Sequence, residues 1–119
     1  MPEGSGFRKW KCILCGDDVI EGQRFVFVPR RGFAHLECVS SRVAASGVLD
    51  AEVAALLDAV EAVSYAIVRL KTAERAVPEG SVSREVGEVR KKIEGLAARL
   101  EALLVEELSG RGLDLAGQV

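Results

Sequence analysis

Four side chains in this sequence have the chemistry and the spacing to share one metal ion: Cys12, Cys15, His35 and Cys38. A two-residue gap between Cys12 and Cys15 lets both thiolates of a tight knuckle converge on a single ion. After nineteen intervening residues His35 and Cys38 repeat the gap, and at the start of a helix an i, i+3 pair points to one side. Three sulfurs and one imidazole suit tetrahedral zinc, with bonds of about 2.3 Å to sulfur and about 2.0–2.1 Å to nitrogen. Four protein ligands complete that shell and leave no position for an activated water. The expectation is therefore one structural Zn2+ and no catalytic metal. His35 is the only histidine, and Cys38 is the only cysteine outside the first pair. An odd cysteine count argues against a disulfide framework. A thioredoxin-like redox pair would need a βαβ setting that the sequence lacks. The plain alternative, a buried histidine beside ordinary free thiols, leaves the doubled ligand spacing unexplained.

The elements that must position these ligands fall in residues 1–48, which hold all three cysteines, the histidine, the tryptophan and all four phenylalanines. Met1 to Gly6 reads as a disordered lead-in. Cys12-Ile13-Leu14-Cys15-Gly16 reads as the knuckle, with Gly16 free to take positive φ after the second thiol. Phe25 to Val28 is a β-type run, followed by a turn at Pro29-Arg30-Arg31-Gly32 and a return strand through Phe33-Ala34. The period then changes. Leu36, Val39 and Val43 recur at helical spacing, predicting a helix from His35 to about Ser46, ended by Gly47 in the left-handed conformation.

Residues 49–119 read as two helices, about 51–77 and 82–109, with a short flexible C-terminal tail. Asp50 is a good N-cap, with Leu49 placed to pack back on the first turns. Val53, Leu56, Val60, Val63, Ile67 and Leu70 step by three and four. Pro78 ends that helix, Pro78-Glu79-Gly80 makes the turn, and Ser81 or Ser83 caps the next. Val82, Val86, Val89, Ile93, Leu96, Leu100 and Leu103 then form a seam of about three heptads, the expected contact with the first helix. Matched lengths and a short connection favour an antiparallel pair. The first helix also carries Ala54, Ala55, Leu57, Ala59, Ala62, Ala66 and Val68, more apolar surface than one partner helix covers. Gly87 and Gly95 each cost about 1 kcal/mol against alanine, and mark either tolerated glycines or a close approach of a neighbouring helix.

The fold class expected is α+β: a small zinc-binding treble-clef finger followed by a long antiparallel α-helical, coiled-coil hairpin. Knuckle, β-hairpin and ligand-bearing helix follow the treble-clef order, and the segment resembles the first finger of LIM domains, without the second finger. More closely, Trp10-Lys11-Cys12, Gly22-Gln23-Arg24-Phe25 and His35-Leu36-Glu37-Cys38 are similar to a family of short archaeal proteins of unknown function. Those pair such a finger with a helical tail. The resemblance covers residues 8–45; it implies the fold and the metal and supplies no biochemical role. The absence of Asn and the abundance of Glu, Arg and Val are in keeping with a thermophilic source.

Charge limits the functions. The formal net charge is −2, with seven Lys/Arg against five Asp/Glu in residues 1–48 and nine against thirteen in residues 49–119. A mildly acidic chain is not the usual profile of a nucleic-acid binder. Lys9, Lys11, Arg30 and Arg31 could still contact phosphates, with Trp10 stacking on a base. Alternatively these cations and Arg24 offset the −1 that three thiolates leave around Zn2+. Ala51 to Leu70, the most apolar stretch, contains Glu52, Asp58, Glu61 and Arg69, so no membrane span is expected. No secretory signal is visible, and a cytoplasmic location is the default expectation. There is no phosphate loop and no Ser/His/Asp set, so no enzyme and no small-molecule substrate are expected. The leading expectation is a protein-interaction or assembly module, either a homo-oligomer (a dimer through residues 51–70 and 82–104) or docked on a protein partner. The second is a nucleic-acid or ribonucleoprotein accessory factor.

Overall fold

The computed structural model describes residues 9–20, 23–77 and 79–115. The lead-in Met1–Gly6, Pro78 of the predicted turn and residues 116–119 of the predicted tail lie outside the described residues. Two strands flank the knuckle, β1 (Lys9–Lys11) and β2 (Asp18–Ile20), paired antiparallel with Trp10 opposite Val19. The predicted β-hairpin follows as β3 (Phe25–Val28) and β4 (Gly32–His35), with Phe25 opposite His35 and Val28 opposite Gly32. A single bridge from Cys12 to Phe33 joins the two sheets. That bridge carries Cys12 next to the strand that delivers His35.

Helix α1 (Leu36–Ser46) buries Leu36, Val39 and Val43 and stops at Gly47, whose φ of 74° is the left-handed conformation expected there. Helix α2 (Ala51–Ala76) starts as predicted, with the Asp50 carboxylate accepting a hydrogen bond from Val53 N–H at 2.9 Å. Leu49 does not pack back; it is 53% exposed. Helix α3 (Ser81–Gly110) lacks the predicted serine cap, because Gly80 precedes it and no side chain bonds its first N–H groups. The two long helices run antiparallel. At one end Arg111 bonds Asp50 and Glu52, and at the other Arg90 bonds Glu74.

The predicted heptad seam on α3 is only partly covered: Val86, Ile93 and Leu100 are half-buried, and the centre of the buried face lies to one side of the seam. The buried positions are Gly87, Ala97, Glu101, Leu104, Val105 and Leu108. Val82, Val89, Leu96 and Leu103 stay outside, at 64%, 46%, 52% and 41% exposure. The helix is turned by about one residue from the periodic expectation. Two contacts explain the turn. Gly87 lies so near α2 that a Cβ there would meet a carboxylate oxygen of Glu74 at 3.2 Å. The C-terminal half of α3 must also cover the sheets, where Leu104, Val105 and Leu108 join Val26, Val28, Val39 and Val43 in one cluster.

That cluster runs through both halves of the sequence without a break. It takes in Leu113 and Leu115, at 8% and 0% exposure, so the chain after α3 is held down at these residues and is not a free tail. The chain reverses through bonds from Arg111, Gly112 and Leu113 N–H to the carbonyls of Leu108 and Ser109, which returns both leucines to the core. No helix among the described residues is long and apolar enough to cross a membrane.

Candidate metal centre

Four elements deliver the ligands. Cys12 follows β1, Cys15 and Gly16 complete the knuckle, His35 ends β4, and Cys38 lies in the first turn of α1. Cys12 N–H donates to the Asp17 carbonyl at 2.8 Å and Gly16 N–H to the Cys12 carbonyl at 2.9 Å, closing the loop. Gly16 has φ 82°, the positive value that the sequence calls for there. The ligand atoms of Cys12, Cys15, His35 and Cys38 all lie within 4.8 Å of one another, so one metal ion could be held by all four.

The surrounding hydrogen bonds suit ionised sulfur. Cys12 Sγ accepts from the N–H groups of Leu14, Cys15 and His35, each at 3.4 Å. Cys15 Sγ accepts from Asp17 N–H at 3.5 Å. Burial opposes ionisation of Cys12, but the three backbone donors outweigh it and bring its pKa down to about 6. Cys38 goes the other way: burial and the neighbouring thiols push it up to about 12. Sulfurs this close cannot all ionise without a cation among them, and that is the condition a bound metal supplies.

His35 is aimed from behind. Its Nε2 lies 2.9 Å from the Asp18 carbonyl, an acceptor only, so Nε2 carries the proton and donates. Nδ1 is left with its lone pair facing Cys15 Sγ at 3.4 Å and Cys38 Sγ at 3.5 Å. A carbonyl that fixes tautomer and ring orientation is the usual outer partner of a metal-bound imidazole. Burial opposes protonation of His35, and the Asp18 bond with the nearby Cys12 sulfur outweighs it, holding the pKa above its ordinary value. Nothing in the sequence singles out Asp18, because the group that acts on His35 is a main-chain carbonyl brought over by the β1–β2 pairing.

The basic candidates scatter. Lys9 and Lys11 both turn to the Asp18 carboxylate, at 3.9 Å and 3.1 Å, so β2 already supplies their counter-charge. Arg30 and Arg31 sit exposed at the β3–β4 turn, Arg30 with φ 70°. Arg24 bridges Glu37 of α1 and Glu61 of α2 and so fastens the ligand-bearing half to the helices. Trp10 lies 4.5 Å centroid to centroid from Phe33, which lies 5.0 Å from Phe25, and all three rings pack against the core. Phe27, 5.3 Å from Phe33, remains 44% exposed. Phe7 lies outside the described residues.

Fold and centre together define a small protein of short antiparallel strands around a Cys3His cluster that could hold a metal ion, followed by helices. The chain belongs to a family described as an uncharacterised protein conserved in archaea (DUF2175), whose model matches residues 8–106. The match takes in the strands, the four clustered Cys/His residues and most of α3, further than the sequence resemblance over residues 8–45. No curated protein and no solved structure matches the chain.

Proposed function

We propose that Cys12, Cys15, His35 and Cys38 hold one structural Zn2+ in a treble-clef finger, and that the protein is a non-catalytic assembly module. In this reading the metal holds a small head in shape, and the paired helices dock on a protein surface. The observation that carries it is the donor set. Three sulfurs and one imidazole nitrogen come from the chain itself, which fills a tetrahedral zinc shell and leaves no position for a reacting water. Cys12 belongs to the same core cluster as the strands, α1 and α3, so metal binding and folding are coupled in this reading.

The nucleic-acid reading is weaker. Two of its four cations, Lys9 and Lys11, face Asp18, and Trp10 is packed against phenylalanines. Arg30 and Arg31 lie exposed at the β3–β4 turn.

Native mass spectrometry with elemental analysis tests the metal. One zinc per chain is expected, lost in Cys38→Ser; a folded protein that binds no zinc overturns the reading. Titration with single- and double-stranded nucleic acid at two salt concentrations tests the rest. Affinity that weakens as salt rises, and that falls in Arg30→Ala with Arg31→Ala, would move the function to the basic head.

A further inference from the structure

The longest apolar stripe in the chain faces outward. Val82, Val89, Leu96 and Leu103 recur every seven residues and are the most exposed large apolar side chains of α3. Half-buried Val86, Ile93 and Leu100 lie beside them and complete a heptad a/d pattern without a charged residue. The stripe lies about 100° around the helix from the line of Gly87, Ala97 and Glu101 that meets α2 and the sheets. Helix geometry turns Leu56, Ala59, Val63 and Ala66 of α2 to that same side. The strands pack on the opposite side, where Glu101 reaches Phe27 and Arg24 reaches Glu61. The helix pair is therefore covered on one face and left apolar on the other.

We infer that a second copy of this chain covers the face, and this rests on the assembly reading above. Two arguments select a second copy over another occupant. The first is size. Two helices side by side make a face roughly 20 Å wide, and α2 with its 26 residues is about 40 Å long. The product is roughly 800 Å² per copy, the area one partner contributes to a standard stable interface.

The shape of the face also fits a second copy. The contacts of Arg111 with Asp50 and of Gly87 with Glu74 set the levels of the two helices. Leu103 lies level with Asp58, Leu96 with Tyr65 and Val89 with Thr72. A two-fold axis parallel to the helices keeps those levels and lays α3 antiparallel on α2 of the second copy. At the levels of Leu103 and Leu96 the outer side of that helix is alanine: Ala55, Ala59, Ala62 and Ala66. Large side chains of one helix meet small ones of the other, twice over by symmetry. One surface supplies both the knobs and the holes, as a closed, isologous dimer requires.

Light scattering on the eluting, zinc-loaded full chain tests this. One chain is 12.8 kDa, and the mass expected is twice that. Val89→Glu with Leu96→Glu is expected to weaken association by roughly 100-fold or more, giving single chains. Val89→Ser with Leu96→Ser is a gentler pair with the same expected direction. These side chains are exposed in the single chain, so zinc content and helical circular dichroism should be unchanged. Ala62→Arg is expected to weaken association too. A wild-type protein at the single-chain mass across the micromolar range overturns the proposal, while one zinc per chain would leave the metal reading standing. Glutamate variants that remain dimeric overturn the choice of face. An Ala62→Arg protein as dimeric as wild type overturns the pairing of α3 with α2.

Discussion

Glu101 of α3 accepts a hydrogen bond at 3.0 Å from the main-chain N–H of Phe27 in β3, although 74 positions separate the two residues. This contact pins the strands to the helices from inside the molecule. It is costly, because Glu101 is only 7% exposed and has one N–H for company. Burial raises its pKa to about 7, and the Phe27 bond offsets only part of the rise. The carboxyl lines a cavity of about 210 Å³ together with Ser64 and Gln23.

The native state holds the Glu101 proton more tightly than the unfolded chain does. Stability from this group is therefore greatest below the ordinary carboxylate range. It falls as pH rises through about 7 and is level above that. The full loss is about 3 kcal/mol. Glu101→Gln keeps an acceptor for Phe27 N–H and removes the charge. The variant should melt above wild type at pH 8, by about 1–3 kcal/mol in chemical unfolding, and the two should converge near pH 5. Acid also releases metal from thiolates, so the difference between the proteins at each pH is the quantity to read. A variant less stable than wild type at pH 8 would refute the assignment.

With zinc bound as proposed, removing it should act first on the strands. Trp10, Phe25 and Phe33 pack beside the knuckle and report on it. Chelation, or Cys38→Ser, is expected to shift Trp10 fluorescence to longer wavelength and lower the melting temperature by well over 10 °C. The scale follows from apparent zinc-binding energies of about 10–16 kcal/mol in zinc-finger peptides. Much of the far-ultraviolet helical signal should persist, because α2 and α3 keep the Arg90–Glu74 pair, which none of the four clustered Cys/His residues touches. Unchanged fluorescence after complete metal removal would contradict this.

The end of α1 is set by one backbone conformation. Gly47 has φ 74°, and a Cβ added there would meet nothing within 4 Å. The only penalty for Gly47→Ala is thus the left-handed backbone itself, about 1 kcal/mol. Urea unfolding should show that loss with an unchanged m-value and unchanged zinc content. A larger loss would mean that the α1–α2 connection has moved.

The clustering of Cys12, Cys15, His35 and Cys38 was legible because its signal is local. Cys-x2-Cys and His-x2-Cys carry their geometry in the spacing, and Gly16 and Gly47 carry theirs in the backbone. Asp50 announced the start of α2 for the same reason. The facing of α3 was not legible. Apolar residues occupy two adjacent lines on that helix, one from Val82 to Leu103 and one through Ala97, Leu104 and Leu108, and periodicity favours the longer line. The structure buries the shorter one. It contains Gly87, which admits a close neighbour, and it reaches the sheets at Leu104 and Leu108. Tertiary contacts decided it, and a one-dimensional pattern does not hold them. The same applies to Asp18, whose useful group is a carbonyl, and to Glu101, which reads as a solvated charge until β3 is laid across it.

The two helical glycines should separate on substitution. Both forfeit about 1 kcal/mol against alanine in a helix. A Cβ at Gly95 meets nothing within 4 Å, so Gly95→Ala should recover most of that sum, about 0.5–1 kcal/mol, as a higher urea midpoint. Gly87→Ala gains the same propensity, but its Cβ would stand 3.2 Å from a carboxylate oxygen of Glu74. That carboxylate is bonded to Arg90, which also holds Glu94. Moving it loosens the ion-pair group that joins the end of α2 to the start of α3. Gly87→Ala should therefore be close to neutral, and less stable than Gly95→Ala by a measurable margin. The difference should shrink in an Arg90→Ala background, where Glu74 is free to swing aside. Equal stabilisation by both alanines with Arg90 intact would show that the approach of α2 at Gly87 exerts no constraint.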